Sequence, residues 1–282
     1  MLSGNVKGGL ADYMYESIGY GEREWQRLEK TAYGRLIFNC HMWFLEPHLH
    51  QGMRVLDAGS GGGRFSIPAA KKGCGVTLLD ISPVQLNIAE NKLHASGHEG
   101  RFVCASVTDM AMLDSDSFDT VICYGAVLNY LHGGVIRALT ELTRVLKPGG
   151  TLVVSVCSRA GVLRACAAEL KIPMVDFWGD PRRWGIQSVV GTGDETVYPG
   201  AVNPQRHYFT SGELERLMIQ AGLSDIKKGA APSIFTGQRK NTEEISSDEE
   251  AWKTLLYTEN KMFTEPGLAD SGEFILIKGI KR

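Results

Sequence analysis

Three glycines and two aspartates carry the clearest chemical signal in this 282-residue sequence. The run Asp57-Ala58-Gly59-Ser60-Gly61-Gly62-Gly63 follows the apolar Met53-Arg54-Val55-Leu56, and Asp80 closes a second apolar run, GVTLLD, at 75–80. A glycine loop between a strand and a helix lets backbone amides approach a ligand at the helix N-terminus. The spacing is G-x-G-x-G. A dinucleotide fingerprint needs glycine at position 64, where Arg64 stands. Like charges repel at short range, so a carboxylate at Asp57 is a poor neighbour for a pyrophosphate. It is a good neighbour for an ammonium group. The pattern points to an adenosyl ligand bearing a cation in place of phosphates, with a nucleotide-type turn of unassigned ligand as the other reading. Asp80 is placed to accept from ribose hydroxyls; its other reading is a cap before Ser82-Pro83.

The elements that must hold these residues follow an alternating rhythm. Residues 22–47 show helical spacing that stops at Pro47. Strands at 53–58, 75–80, 101–106, 118–125 and 151–157 alternate with helices at 64–72, 82–98 and 134–146, the last ending at Lys147-Pro148-Gly149-Gly150. Such alternation implies crossover units and a parallel sheet. Residues 158–208 break the rhythm and are too many for a plain connection, so they read as an inserted lid. The pattern resumes with Thr210 as an N-cap, a helix at 211–222, a strand near 223–229, a helix around 248–263 and a last strand at 273–280. Four parts are expected: an N-terminal helical cover over the cofactor site (1–48), a Rossmann-like core (49–157), the lid or substrate cap (158–208) and a C-terminal completion of the sheet (209–282).

Bulk properties narrow the function classes. A 43% hydrophobic content suffices for a substantial core, and a formal net charge of -2 gives no support to a protein that works by neutralising phosphates. The six cysteines are scattered with no metal-ligand spacing, so they read as buried reduced thiols, and no metal is expected. No run approaches the ~20 apolar residues of a membrane span, and the N-terminus lacks a signal-peptide core. A cytoplasmic protein is expected, with no membrane partner and an oligomeric state left open.

The segments VLDAGSGGG, VTLLDIS, FVCASVTDM, FDTVICYGAVLNYL and RVLKPGGTLVVSV, in that order, resemble class I S-adenosylmethionine-dependent methyltransferases over residues 50–157. The resemblance implies an α/β fold: a Rossmann-like, seven-stranded, mostly parallel sheet with helices on both faces. The C-terminal EFILIKGI would be its antiparallel strand. It implies S-adenosyl-L-methionine as cofactor, held by Asp57, Gly59, Gly61, Gly63, Asp80 and Ile81. Ser106 and Val107 would meet the adenine, Tyr124 and Gly125 the methionine part, and Arg35 its carboxylate; a solvated helix arginine is the other reading of Arg35. More distantly, the whole chain resembles tRNA wobble 5-carboxymethoxyuridine methyltransferases, through AVLNYL and LLYTENKMFTEPGLADSGEFILIK.

Methyl transfer from a sulfonium needs alignment and water exclusion more than a declared base. His132, Tyr130 and His207 are candidate catalytic groups; an exposed helix-start residue is the other reading of His132. Tyr13, Tyr15, Asn129, Trp178, Arg206 and Tyr208 are candidates to bind substrate, with Arg206 on an acidic group; plain lid packing is the alternative for the lid residues. The segment CYGAV lacks the Asn/Asp-Pro-Pro-aromatic pattern used on exocyclic amines. A small acceptor, acidic or aromatic, is therefore the favoured substrate. A tRNA uridine derivative comes second and a non-catalytic cofactor-binding module third.

Overall fold

The computed structural model describes residues 18–169, 185–195 and 205–282. In chain order the elements that matter are α1 (Ile18–Arg27), α2 (Ala32–Leu45), β1 (Arg54–Ala58), α3 (Ser66–Lys71), β2 (Gly75–Asp80), α4 (Pro83–Ala95), β3 (Gly100–Cys104), β4 (Phe118–Cys123), α5 (Val135–Val145) and β5 (Leu146–Cys157). After them come α6 (Arg159–Glu169), α7 (Gly185–Gly191), α8 (Ser211–Gln220), β6 (Leu223–Ala231), α9 (Arg239–Ser246), α10 (Glu249–Met262) and β7 (Phe274–Lys281).

The seven strands form one sheet in the order β3-β2-β1-β4-β5-β7-β6. The first five run parallel, and β7 enters antiparallel between β5 and β6. Consecutive strand residues feed opposite faces, because side chains alternate across a sheet. Val55, Val153 and Leu276 join one layer with Leu36, Ile37 and Phe44 of α2, while Leu56, Val154 and Ile277 join the other with Leu139 and Leu142 of α5. Burial on both faces explains why the strands read as unbroken apolar runs. No described helix is long and apolar enough to cross a membrane.

The structure departs from the sequence expectation in four places. The helix expected at 22–47 is two helices, because Thr31 adopts an extended conformation and caps α2 by accepting from the Gly34 amide at 2.9 Å. Lys147-Pro148-Gly149-Gly150 lies inside β5 rather than in a turn before it; the register shift between Phe118 and Thr120 absorbs it. The polar helix α9 has no apolar periodicity to announce it, and Glu243 anchors it by accepting from the Ala32 amide at 2.8 Å. Cys104 is exposed rather than buried, because β3 is the sheet edge.

The chain leaves the sheet at Ser158 and returns at Phe209, and these two residues form a parallel bridge. The returning segment also bridges Asp194 to His207. Both ends of the insert are thus fixed beside the C-terminal end of β5. Thr210 caps α8 in a reciprocal capping box with Glu213.

Candidate cofactor and acceptor site

Parallel strands deliver the ends of β1, β2, β4 and β5 to one edge of the sheet, where doubly wound folds bind ligands. Asp57 is the penultimate residue of β1, pairs in register with Leu78, and is buried. Its Oδ2 accepts from Ser66 Oγ at 2.6 Å. Burial pushes its carboxyl up to about 7, with the Asp80 charge adding to the rise and the Ser66 hydroxyl opposing it. Among the described residues no lysine or arginine forms an ion pair with Asp57. A ligand cation would relieve that cost.

The loop after β1 is built for close approach. Gly59 has φ +77°, and a Cβ there would run into Val127 of the loop after β4. Gly61 has φ +49°, and its nearest neighbour would be Gln85 Oε1 at 3.9 Å, so this position opens onto free space. Gly63 packs against Leu78 and Ala89, seating the loop on β2 and α4. The Ser60 hydroxyl is buried with no partner among the described residues. A buried, unpaired hydroxyl in the same loop as the open position at Gly61 fits a ligand with hydrogen-bonding groups, as S-adenosylmethionine has.

Asp80 serves both of its sequence readings. Its Oδ2 accepts from the Gly61 amide at 2.8 Å and its Oδ1 from the Ser82 amide at 2.9 Å. Burial raises its pKa, against the opposing pull of these amides. The acid therefore ties the glycine loop to the turn that opens α4, and each oxygen keeps a second lone pair for a ligand hydroxyl. Ile81, next along, is 53% exposed, an apolar surface available to a purine face. Ser106 and Val107 follow Ala105, whose amide donates to the Asp80 carbonyl at 3.0 Å, so they flank the same edge. The Ser106 hydroxyl pairs with Thr108 at 2.8 Å, and Val107 is buried in the core.

Several sequence candidates are placed elsewhere. Arg35 is exposed, donates to the Glu29 and Lys30 carbonyls and lies over Trp252, so it does not reach the cofactor edge. Arg64 does meet that edge. It follows Gly63 directly and lies between the rings of Trp25 (4.6 Å) and Phe38 (4.8 Å), fastening α1 over the loop. Tyr124 turns into the core, donating to the His41 carbonyl at 3.1 Å with its ring edge-on to Phe65, which leaves Gly125 alone facing the cleft.

The acceptor-side candidates mostly bind one another. Asn129 is fully buried: its Oδ1 accepts from the Cys157 amide at 3.0 Å, and its Nδ2 donates to the His207 carbonyl at 2.6 Å. It clamps the returning insert to β5 and has no polar atom left for substrate. Arg206 makes a two-pronged ion pair with Glu195 at 2.9 and 3.1 Å, and Tyr208 donates to the same carboxylate at 2.9 Å. The acidic group expected on Arg206 is therefore supplied by the protein. His207 sits between Asp194 (2.7 Å) and Glu213 (2.9 Å); the hydrogen bond to Glu213 and then that to Asp194 raise its pKa against burial. With both ring nitrogens engaged by carboxylates, neither is free to take a proton from a substrate, so His207 is a poor general base. His132 is exposed and its Nε2 meets the Gln205 carbonyl at 2.9 Å, which makes that nitrogen a donor. Tyr130 is half-buried at the end of the same turn. Tyr13, Tyr15 and Trp178 lie outside the described residues.

Sequence reading also missed groups that shape the site. Ser66 and Arg64 follow the glycine loop, where only the loop itself announces a role. His41, a polar residue in the apolar helix sequence Phe38-Asn39-Cys40-His41-Met42-Trp43, was visible as an oddity and is buried at the heart of the site's support.

The comparisons agree with this geometry. Residues 55–150 match a family model described as a methyltransferase domain. A ubiquinone biosynthesis O-methyltransferase of Xanthomonas euvesicatoria is 37% identical over 118 residues, which is 41% of this chain and 48% of that protein. The chain thus spans about half the length of the curated relatives it matches. An S-adenosylmethionine-dependent methyltransferase structure from Thermotoga maritima aligns with a TM-score of 0.59 at 18% identity, covering 96% of this chain and 99% of that one. Phosphoethanolamine N-methyltransferase 2 of Haemonchus contortus, solved with S-adenosyl-L-methionine, aligns with a TM-score of 0.57 at 15% identity over 97% of this chain and 60% of that one. At such identities the solved structures speak to fold, and the domain match speaks to family. Residues 55–150 thus match a methyltransferase domain, on a fold shared with solved S-adenosylmethionine-dependent methyltransferases.

Proposed function

We propose that the chain transfers the methyl group of S-adenosylmethionine to a small-molecule acceptor. The observation that carries the reading is the open glycine cradle at Gly61, with the buried, unpaired Ser60 hydroxyl in the same loop and two buried carboxylates, Asp57 and Asp80, on the strands that flank it. When bound, the cofactor supplies a methyl group already activated on a sulfonium. The chain's own residues then have three tasks. Asp80 and the Gly61 amide hold the loop in register for the ribose. Asp57 offers a carboxylate to a cationic group. The described ends of the insert, anchored through Asn129 and His207, shield the acceptor side from water, and Trp25 of α1 stands over Arg64 beside the glycine loop. Alignment and desolvation of this kind contribute on the order of several kcal/mol to a displacement.

A small acceptor is supported by the way three described arginines beside the insert are used. Arg159 pairs with Glu213, Arg206 with Glu195 and Arg239 with Glu273. A phosphate-tracking surface keeps such arginines available to its ligand. The likeness to O-methyltransferases supports oxygen as the accepting atom. The test is calorimetric titration with S-adenosylmethionine, its demethylated product and NAD, followed by a methyl-transfer screen of phenols and carboxylic acids. Binding of the first two without NAD is the expected result. Absence of binding by both overturns the proposal.

A further inference from the structure

A directional hydrogen-bond chain runs from α2 through the sheet to the cofactor edge. His41 Nδ1 lies 2.8 Å from the Ile37 carbonyl, and its Nε2 lies 3.0 Å from Ser155 Oγ. The Gly125 amide donates to that same Ser155 oxygen at 2.8 Å. A carbonyl only accepts, so Nδ1 carries the ring hydrogen. His41 is 3% exposed, walled by the rings of Tyr124, Phe65 and Phe274, and burial pushes its pKa down to about 4. The ring is therefore neutral and Nε2 can only accept. Ser155 must then point its hydrogen at His41, which turns its lone pairs toward Gly125. Each link orders the next, and no donor in the chain is left unpaired.

The end of the chain is the part that matters. Gly125 has φ +86°, and a Cβ there would meet nothing within 4 Å, so it borders the open cleft. Two residues on, Val127 touches Gly59 of the glycine loop. The segment held at Gly125 thus links the contact with the cofactor cradle to the turn that carries Asn129. Side chains locked by buried partners hold a site more tightly than a loop can by itself.

We propose that His41 and Ser155 are positioning residues for the transfer reaction: the chain Ile37–His41–Ser155–Gly125 sets the wall between cofactor and acceptor. The proposal rests on the cofactor reading given above. Neither side chain is exposed enough to reach a substrate, so they act through the Gly125 backbone.

The test compares Ser155→Ala with Ser158→Ala in the full chain. Ser158 is an equally buried serine near the same strand end, with bonds to the Asp270 carbonyl and the Gly161 amide instead. Both variants lose one buried hydroxyl and should lose similar thermal stability. Calorimetry with S-adenosylmethionine should show a threefold to tenfold loss of affinity, on the order expected for one hydrogen bond, for Ser155→Ala only. Amide exchange at Gly125 should accelerate in that variant and remain slow in Ser158→Ala. Equal affinities with unchanged Gly125 exchange overturn the proposal. Should Ser155→Ala fail to fold, nitrogen NMR of wild-type His41 decides: a neutral ring protonated at Nδ1 is required, and the opposite tautomer defeats the chain. If wild-type protein binds no cofactor, the functional proposal fails, while the exchange and tautomer measurements still judge this one.

Discussion

The Gly61 amide donates to Asp80 Oδ2 at 2.8 Å, so the glycine loop and the acid of the second strand form one unit. The other oxygen of Asp80 holds the turn that starts α4. Removing this carboxylate should disturb the loop even before a ligand arrives. We expect Asp80→Ala to weaken S-adenosylmethionine binding by about 1–3 kcal/mol, the range for charge-assisted hydrogen bonds. Isothermal titration checks this; wild-type affinity in the variant would remove Asp80 from the site.

Asp57 should make the ligand-free protein less stable as pH rises. Its folded pKa is raised to about 7, so folding favours the protonated acid. That contribution is fully present below the unfolded carboxylate value of about 4 and is lost as pH climbs through 7. Asp57→Asn should flatten this dependence and raise ligand-free stability at pH 8, while lowering cofactor affinity. Denaturant titrations from pH 4.5 to 8 measure it. A cation bound beside Asp57 should also release a proton near pH 7, seen as a dependence of binding heat on the buffer's ionisation enthalpy.

The insert's base should respond to pH through His207. Its pKa is raised by Glu213 and Asp194, so its contribution is fully present below about 6.5 and is lost as pH rises through the raised value. Burial opposes ionisation of Asp194 and Glu213, yet His207 holds both below their usual range. Their contribution is therefore present above about 4.5 and is lost as pH falls through the lowered values. Hydrogen exchange at 192–195 and 205–208 should be slowest between these limits. In His207→Gln the alkaline loss should disappear, and a persistent one would assign it elsewhere.

Asn129→Ala should loosen the same region without touching the cofactor edge. It removes the side-chain bonds to Cys157 and to the His207 carbonyl. Leaving those buried groups unpaired costs about 1–3 kcal/mol in unfolding free energy. Proteolysis should cut first within the insert, with S-adenosylmethionine affinity close to wild type. Selective loss of cofactor binding would instead place Asn129 in the cofactor site.

Local chemistry was enough to read the cofactor half. Apolar runs of five or six residues ending in Asp57 and Asp80, Ser82-Pro83 as a cap, and glycines at 59, 61 and 63 are features of neighbouring residues. Their meaning depends on strand period and turn geometry, which short stretches of chain dictate. The strand–helix alternation likewise declared the parallel core, and the structure keeps it within a few residues. The acceptor half was not legible in this way. Whether Arg206 meets a substrate acid or Glu195, and whether His207 is a base or the middle of an ion triad, depends on partners from 6 to 13 residues away across a bridge. Asn129 meets Cys157 and His207 only because the insert returns to the end of β5. His41 and Ser155, 114 positions apart, meet because α2 packs on the face of the sheet that receives Ser155. Pairings of this kind are set by which faces pack together and how deeply they are buried, and no local pattern encodes them.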